Sequence, residues 1–210
     1  PILGKLYDKT IVELTEGENS PQFNSFEKRL KIPDLNENMD YDGGFTLQGD
    51  EFIGQGTIEY PAKIRLKLNK TALFEISAVK FEMDPNKVIA REAKTKLIYP
   101  TGDSLIQTES YINLDFKKKE LVVSAIQKNN QFLPYYDSYF KVSIYAPTLK
   151  WKLNSSRPYF TFDEGTALEQ RLARIESADF FDNALYQKYK GKNKKKKVLK
   201  GVGTPINLSL

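Results

Sequence analysis

Between Pro33 and Gly44 the chain reads PDLNENMDYDGG, which sets Asp34, Asn36, Asn38, Asp40 and Asp42 at every second position. Side-chain oxygens at alternate positions ahead of a glycine are how calcium loops are built, and Asn38, Asp40, Asp42, Gly43 follows the opening of an EF-hand loop. The pattern then stops, because the twelfth position counted from Asn38 is Gly49, where a bidentate glutamate belongs. Asp and Asn also form turns for reasons of their own, since their short side chains hydrogen-bond the nearby backbone. Two readings of this stretch stand: a calcium site, and a polar turn leading into a strand at Phe45.

The second set of residues with chemical potential is aromatic. Phe132, Tyr135, Tyr136, Tyr139, Phe140, Tyr145, Trp151, Tyr159, Phe160 and Phe162 fall within one stretch of the chain. Tyr135, Tyr136, Tyr139, Trp151 and Tyr159 could form a platform on which sugars or bases stack, each stacked base contributing ~1–3 kcal/mol. The alternation in KVSIYAPTLKWKL favours the other reading, ordinary strands with the rings packed on one buried face.

Cysteine and histidine are both absent. Thiolate zinc sites, disulfides, cysteine nucleophiles, Ser-His-Asp triads and His-ligated metals are therefore excluded. Paired carboxylates could hydrolyse glycosides without histidine, but only at ~5–10 Å in one cleft, and nothing in the linear spacing shows such a pair. Gly49, Gly54 and Gly56 lie between strand signals rather than ahead of a helix, so they are not a phosphate loop. The expectation is a protein that is not an enzyme, with no catalytic residues and no cofactor.

Charge is unevenly placed. Eight of the 32 Lys and Arg residues lie in KYKGKNKKKKVLK (188–200), leaving 24 against 27 acids elsewhere. A lysine run without arginine is sequence-indifferent toward phosphates and reads as a solvated linker, so nucleic acid is not the expected partner. No apolar run approaches the ~18 residues of a membrane span. The opening PILGKLYDKT has neither an initiator Met nor a signal-peptide layout, which reads as a mature or excised fragment.

The elements that must position these residues centre on Tyr41 to Phe81. Phe45 and Leu47, then Phe52 and Ile53, flank Gly49, and the following Gly54 and Gly56 mark turns or bulges where a Cβ would clash. Ile64, Leu66 and Leu68 alternate with Lys63, Arg65, Lys67 and Asn69, a strand with apolar residues inward and basic ones outward. Pro61 cannot donate to a ladder and belongs at the start of that strand. Upstream, strands are expected at Thr10 to Leu14 and Phe23 to Ile32, separated by the polar loop TEGENSP.

Downstream, Leu73 to Ala90 and Ser104 to Val123 read as two copies of one unit at an offset of about 31 residues. Phe74 matches Leu105, Met83 matches Leu114, and Asp84 matches Asp115. Each copy is a strand, a polar turn (Asp84 to Lys87; Asp115 to Glu120) and a return strand. The period changes after Gly165, where Thr166 and Glu169 form a capping box. Leu168, Leu172, Ile175, Ala178, Phe181, Leu185 and Tyr189 then give one helical stripe, with a second cap at Ser177 to Asp179 and a stop at Gly191.

The expected fold is mainly β, a jelly roll or solenoid-like stack of antiparallel hairpins with one C-terminal amphipathic helix. Residues 1–36 would be N-terminal strands and loop, 37–162 the β-sheet domain, 163–191 the docking helix and 192–210 a basic linker.

The ordered blocks YDGGFTLQGDEFIGQGT with Pro61-Ala62 (41–62), GDSL with Tyr111 (102–111), PYYDSY (134–139), Trp151 and ARIESADFF (173–181) support a resemblance. Together they resemble a segment of large, uncharacterised β-rich envelope or surface proteins of Bacteroidota, over residues 38–190. In those relatives a histidine follows the DS block and another the SY pair; here Leu105 to Gln107 and Phe140 hold none, so no histidine role carries over. GDSLIQTESYINLDFKKKELVV (102–123) is also similar to repeats of lipopolysaccharide-transport β-jelly-roll proteins of the organic-solvent-tolerance type, which implies non-enzymatic lipid handling.

These resemblances imply a non-enzymatic structural or binding module of a larger cell-envelope or surface protein, in the periplasm, at the outer membrane or on the cell surface. Its partners would be neighbouring domains of a larger chain or other envelope proteins. The alternatives are a carbohydrate-binding module, marked by an exposed aromatic row, and a lipid-handling jelly roll, marked by an open apolar groove.

Overall fold

The computed structural model describes residues 4–7, 22–25, 29–48, 51–69, 71–155, 157–162 and 173–177. Those residues form β1 (Gly4–Tyr7), β2 (Gln22–Ser25), β3 (Leu30–Asn36), β4 (Met39–Gln48), β5 (Glu51–Gln55) and β6 (Ala62–Leu68). There follow β7 (Thr71–Ala78), β8 (Lys80–Met83), β9 (Lys87–Ile98), β10 (Ser104–Asp115), β11 (Glu120–Ala125) and β12 (Gln127–Lys128). The last are β13 (Gln131–Phe132), β14 (Tyr135–Asp137), β15 (Val142–Tyr145), β16 (Thr148–Lys152), β17 (Tyr159–Thr161) and β18 (Arg174–Ser177). The chain is mainly β and its pairings are antiparallel, as the alternation of the sequence requires.

Three long strands divide the sheet into two facing layers. The first half of β4 pairs with β3 and β6, and its second half with β2 and β5. β9 likewise pairs with β8 through Val88 and Ile89 and with β7 through Lys94 to Leu97. β10 pairs with β14 near its start and with β11 near its end. The ladder β4, β5, β8, β9, β7, β6 and back to β4 therefore closes a ring. Strands that serve two layers need a corner, and bulges or glycines supply it. In β4 the corner is Gly43-Gly44; in β9 it is Glu92, which takes the left-handed conformation at φ 56°. In β10 the register shifts between Gln107 and Ser110.

Between the layers lies one core. In the first layer the register runs Tyr41, Ile64, Ile76, Thr95, Gln107, Tyr135, Ile144 across successive strands, and all are buried. In the second it runs Met83, Val88, Leu114, Leu121, Trp151, also buried. The layers meet where the ring of Phe74 packs on Trp151 at 4.9 Å and Tyr135 on Phe160 at 5.0 Å. Buried polar groups are partnered: Ser110 donates to the Ala93 carbonyl, Gln107 Nε2 to Leu133 O, Tyr135 Oη to Val123 O and Trp151 Nε1 to Ser155 O.

Tyr41 explains two of the glycines that follow it. Its buried hydroxyl donates to the Gly44 carbonyl and accepts from the Gln55 amide at 3.0 Å. A Cβ on Gly43 would stand 2.5 Å from that oxygen, and one on Gly54 2.8 Å from it. Burial raises the phenol's pKa above the ordinary range, so the group stays a neutral donor.

Several expectations are corrected in detail. Phe23 to Ile32 is not one strand: β2 and β3 pair with different halves of β4. The expected division after residue 36 falls at the end of β3, and β2 and β3 both pair with β4. Arg174–Ser177 is a strand paired with β15 rather than a helical turn, Ile175 sitting opposite Ile144. The rest of the 166–190 helix, the Thr10 to Leu14 strand and the lysine tail lie outside the described residues. Pro61 does stand immediately before β6, and both repeat turns form, Asp84 accepting from the amides of Asn86 and Lys87 and Asp115 from that of Lys118.

Candidate functional site

At one end of the sandwich the hairpin turns of both layers converge. The β3–β4 turn reaches the end of β6 through Lys67 N to Asn38 O, 2.8 Å. The β8–β9 turn reaches the β10–β11 turn through Phe116 N to Asn86 O, 2.8 Å, and that turn reaches the end of β16 through Leu153 N to Lys119 O, 2.9 Å. Backbone bonds between turns fix the end of the sandwich as a rigid rim.

Inside this rim lies a cleft of about 390 Å³. Its apolar floor is Leu66, Leu68, Phe116 and Leu153; its walls carry Asn36, Asn38, Asn69, Asn154, Glu37, Lys67 and Lys119. A narrower slot of about 190 Å³, lined by Leu35, Met39, Phe52, Met83, Pro85 and Val88, shares Asn36 and Phe116 with it. The two form one amphipathic depression, polar at the mouth and apolar beneath. Asn38, Asn69 and Lys119 take left-handed backbones, at φ 59°, 51° and 49°. Asn adopts that conformation readily, whereas for Lys119 it stores strain.

The alternating Asp and Asn stretch builds part of this wall. Asn36 and Asn38 line the cleft, and Asn36 Oδ1 accepts from the Glu37 amide. Asp34 and Asp40 instead grip a cation of the chain's own: Lys67 Nζ lies 2.8 Å from Asp34 Oδ1 and 2.7 Å from Asp40 Oδ1. The Asp34 amide also donates to Asp40 Oδ1. The hydrogen bond from Lys67, then that amide, hold the Asp40 carboxyl below its ordinary pKa, and the two carboxylates hold the Lys67 ammonium above its own. Asp42 lies on the same strand face as Asp40, opposite Lys63 of β6. Among the described residues no group of three or more acidic side chains is placed to hold a metal ion.

The five proposed platform residues do not share a surface. Tyr135 and Trp151 are core residues, fully enclosed between the layers. Tyr136 stands on the outer face of the first layer opposite Ile106, and Tyr139 packs edge-on against Phe140 in the next turn. Tyr159 belongs to β17 of the other layer, opposite Lys150. Adjacent residues on a strand point to opposite faces, which is why Tyr135 and Tyr136 part company. The cleft residues Asn69, Phe116, Lys119, Leu153 and Asn154 were not singled out from sequence. Their shared signal is a position at or next to a hairpin turn, which acquires meaning only when the turns are brought to one end.

Comparison with protein-family models, with curated proteins and with solved structures finds no match for this chain. Among the described residues no helix is long and apolar enough to cross a membrane.

Proposed function

We propose that the chain is a non-enzymatic binding module of a larger bacterial cell-envelope or surface protein, and that its end cleft takes a neutral glycan. The observation that carries this reading is the concentration of side-chain amides on a rigid rim above an apolar floor. An amide both donates and accepts, which suits sugar hydroxyls, and Phe116 beneath offers an apolar face for a ring. Turn backbones fixed by hydrogen bonds reduce the ordering cost on binding. Among the described residues the carboxylates lining the depression are Glu37 and Asp84, and Asp84 accepts from the amides of its own turn, which favours binding over glycoside hydrolysis by a facing pair. The space between the layers is filled by Phe74, Trp151, Tyr135 and Phe160, which favours a glycan over a lipid running between the sheets. The envelope setting rests on the resemblance of the ordered blocks over residues 38–190.

Titration of the protein with a panel of neutral oligosaccharides, followed by amide chemical shifts, tests the site. The expected result is a ligand that perturbs Asn38, Asn69, Phe116 and Asn154 together and loses affinity in Asn154→Ala and in Lys119→Gly, with both variants folded. Glycans that perturb none of these residues, or a fatty acid that alone perturbs them, would overturn the glycan assignment.

A further inference from the structure

A second depression of about 590 Å³ lies on the outer face of the first layer, away from the end cleft. Its floor is a patch of strand faces: in register, Lys63 of β6 faces Ser77 of β7, which faces Lys94 of β9, and one row further Glu75 faces Lys96. Lys63, Lys94, Lys96 and Arg29 bring four cations to this depression. Three carboxylates line it too, Glu59, Glu75 and Glu92. Glu75 is taken up by Lys63 at 3.5 Å and Arg65 at 3.1 Å. Among the described residues Lys94 and Lys96 make no ion pair, so the floor presents two cations whose nearest strand-paired acid is already neutralised.

One wall of the depression is apolar and rigid. Ile58 is 91% exposed, Tyr60 60% and Val79 49%. The turn that carries Ile58 and Tyr60 is closed by Thr57 N to Tyr60 O and by Tyr60 N to Thr57 Oγ1, and anchored by Gly56 N to Val79 O. Gly56 is required there, since a Cβ would lie 2.2 Å from the Ala62 amide nitrogen. Arg29 sits 5.4 Å over the Tyr60 ring, a cation–π contact at the surface. A fixed turn that holds large apolar side chains in water beside lysines that make no ion pair among the described residues is a surface suited to a ligand with both an apolar face and negative charge.

We propose that this groove binds an acidic glycan chain, sugar rings lying against Tyr60 and Ile58 and their carboxylate or phosphate oxygens accepting from Lys94 and Lys96. The site is separate from the end cleft, so the two assignments stand or fall independently.

Binding of polygalacturonate, of a phosphorylated mannan and of neutral dextran, measured by calorimetry at low and physiological salt, tests it. Polygalacturonate or phosphomannan should bind and dextran should not, with affinity falling as salt rises; which of the two anions binds tighter identifies the charged group. Lys94→Ala with Lys96→Ala should weaken binding by about tenfold or more, and Tyr60→Ala should weaken it at unchanged salt dependence. Asn154→Ala, in the end cleft, should leave it intact. Melting curves of the lysine variants should match the parent, because neither lysine makes an ion pair among the described residues. Equal binding of dextran, no loss in the lysine variants, or tighter binding of a single-stranded oligonucleotide than of either glycan would overturn the proposal.

Discussion

The fit between Tyr41 and Gly54 can be tested by a double-mutant cycle. Gly54 has an ordinary strand backbone, so Gly54→Ala introduces no conformational strain and its effect isolates the added methyl. That methyl would stand 2.8 Å from Tyr41 Oη, 2.9 Å from Tyr41 Cε2 and 2.9 Å from Met83 Cε. The methionine end can swing aside; the tyrosine ring cannot, because its hydroxyl bridges Gly44 O and Gln55 N. Overpacking of this kind costs ~1–3 kcal/mol, offset by ~0.4–1 kcal/mol from the stiffer unfolded chain. Tyr41→Phe alone should cost ~1–3 kcal/mol through the carbonyl left without its donor, or a few degrees in Tm for a chain of this size. In the Tyr41→Phe background the oxygen is gone and the ring can tilt, so Gly54→Ala should cost about 1 kcal/mol less than in the parent. Urea unfolding of the four proteins measures the coupling. If the two costs add within ~0.5 kcal/mol, the usual limit for independent sites, the hydroxyl is not what the glycine accommodates.

Other expectations follow from the same packing. Trp151→Ala should cost ~3–5 kcal/mol and Tyr136→Ala within ~0.5 kcal/mol, a contrast read directly from chemical denaturation. Asp137 is buried and accepts from Tyr99 Oη at 2.6 Å and from the amides of Tyr139 and Phe140, each at 2.9 Å. Asp137→Asn should lose ~1.5–3 kcal/mol and speed hydrogen exchange at Tyr139 and Phe140. The lowered Asp40 pKa means that its contribution is present above the ordinary carboxylate value of ~4 and is lost as pH falls through the lower folded value. The raised Lys67 pKa contributes below the ordinary lysine value of ~10.4 and is lost as pH rises past it. Lys67→Met should therefore flatten both limbs of a stability-against-pH curve measured by denaturant midpoint, and an unchanged acid limb would show that Asp40 draws its shift elsewhere.

Alternation of side chains is a local property, and wherever it was strong the strands were legible. Ile64 and Leu66 face inward and Lys63, Arg65 and Lys67 outward on β6, because successive residues of a strand must point to opposite faces. The Asp84 and Asp115 turns were legible for the same reason: an aspartate that caps its own turn needs only its neighbours. The sequence alone thus determined a mainly antiparallel β chain free of cysteine and histidine chemistry. It could not assign a cation to Asp34 and Asp40, since the lysine that occupies them lies 33 and 27 residues away. Nor could it say which aromatic rings are exposed or that Asn38, Asn69 and Asn154 share one cleft. Those facts depend on where β4, β9 and β10 pass from one layer to the other, and a bulge of a single residue there changes which turns meet and which faces are buried.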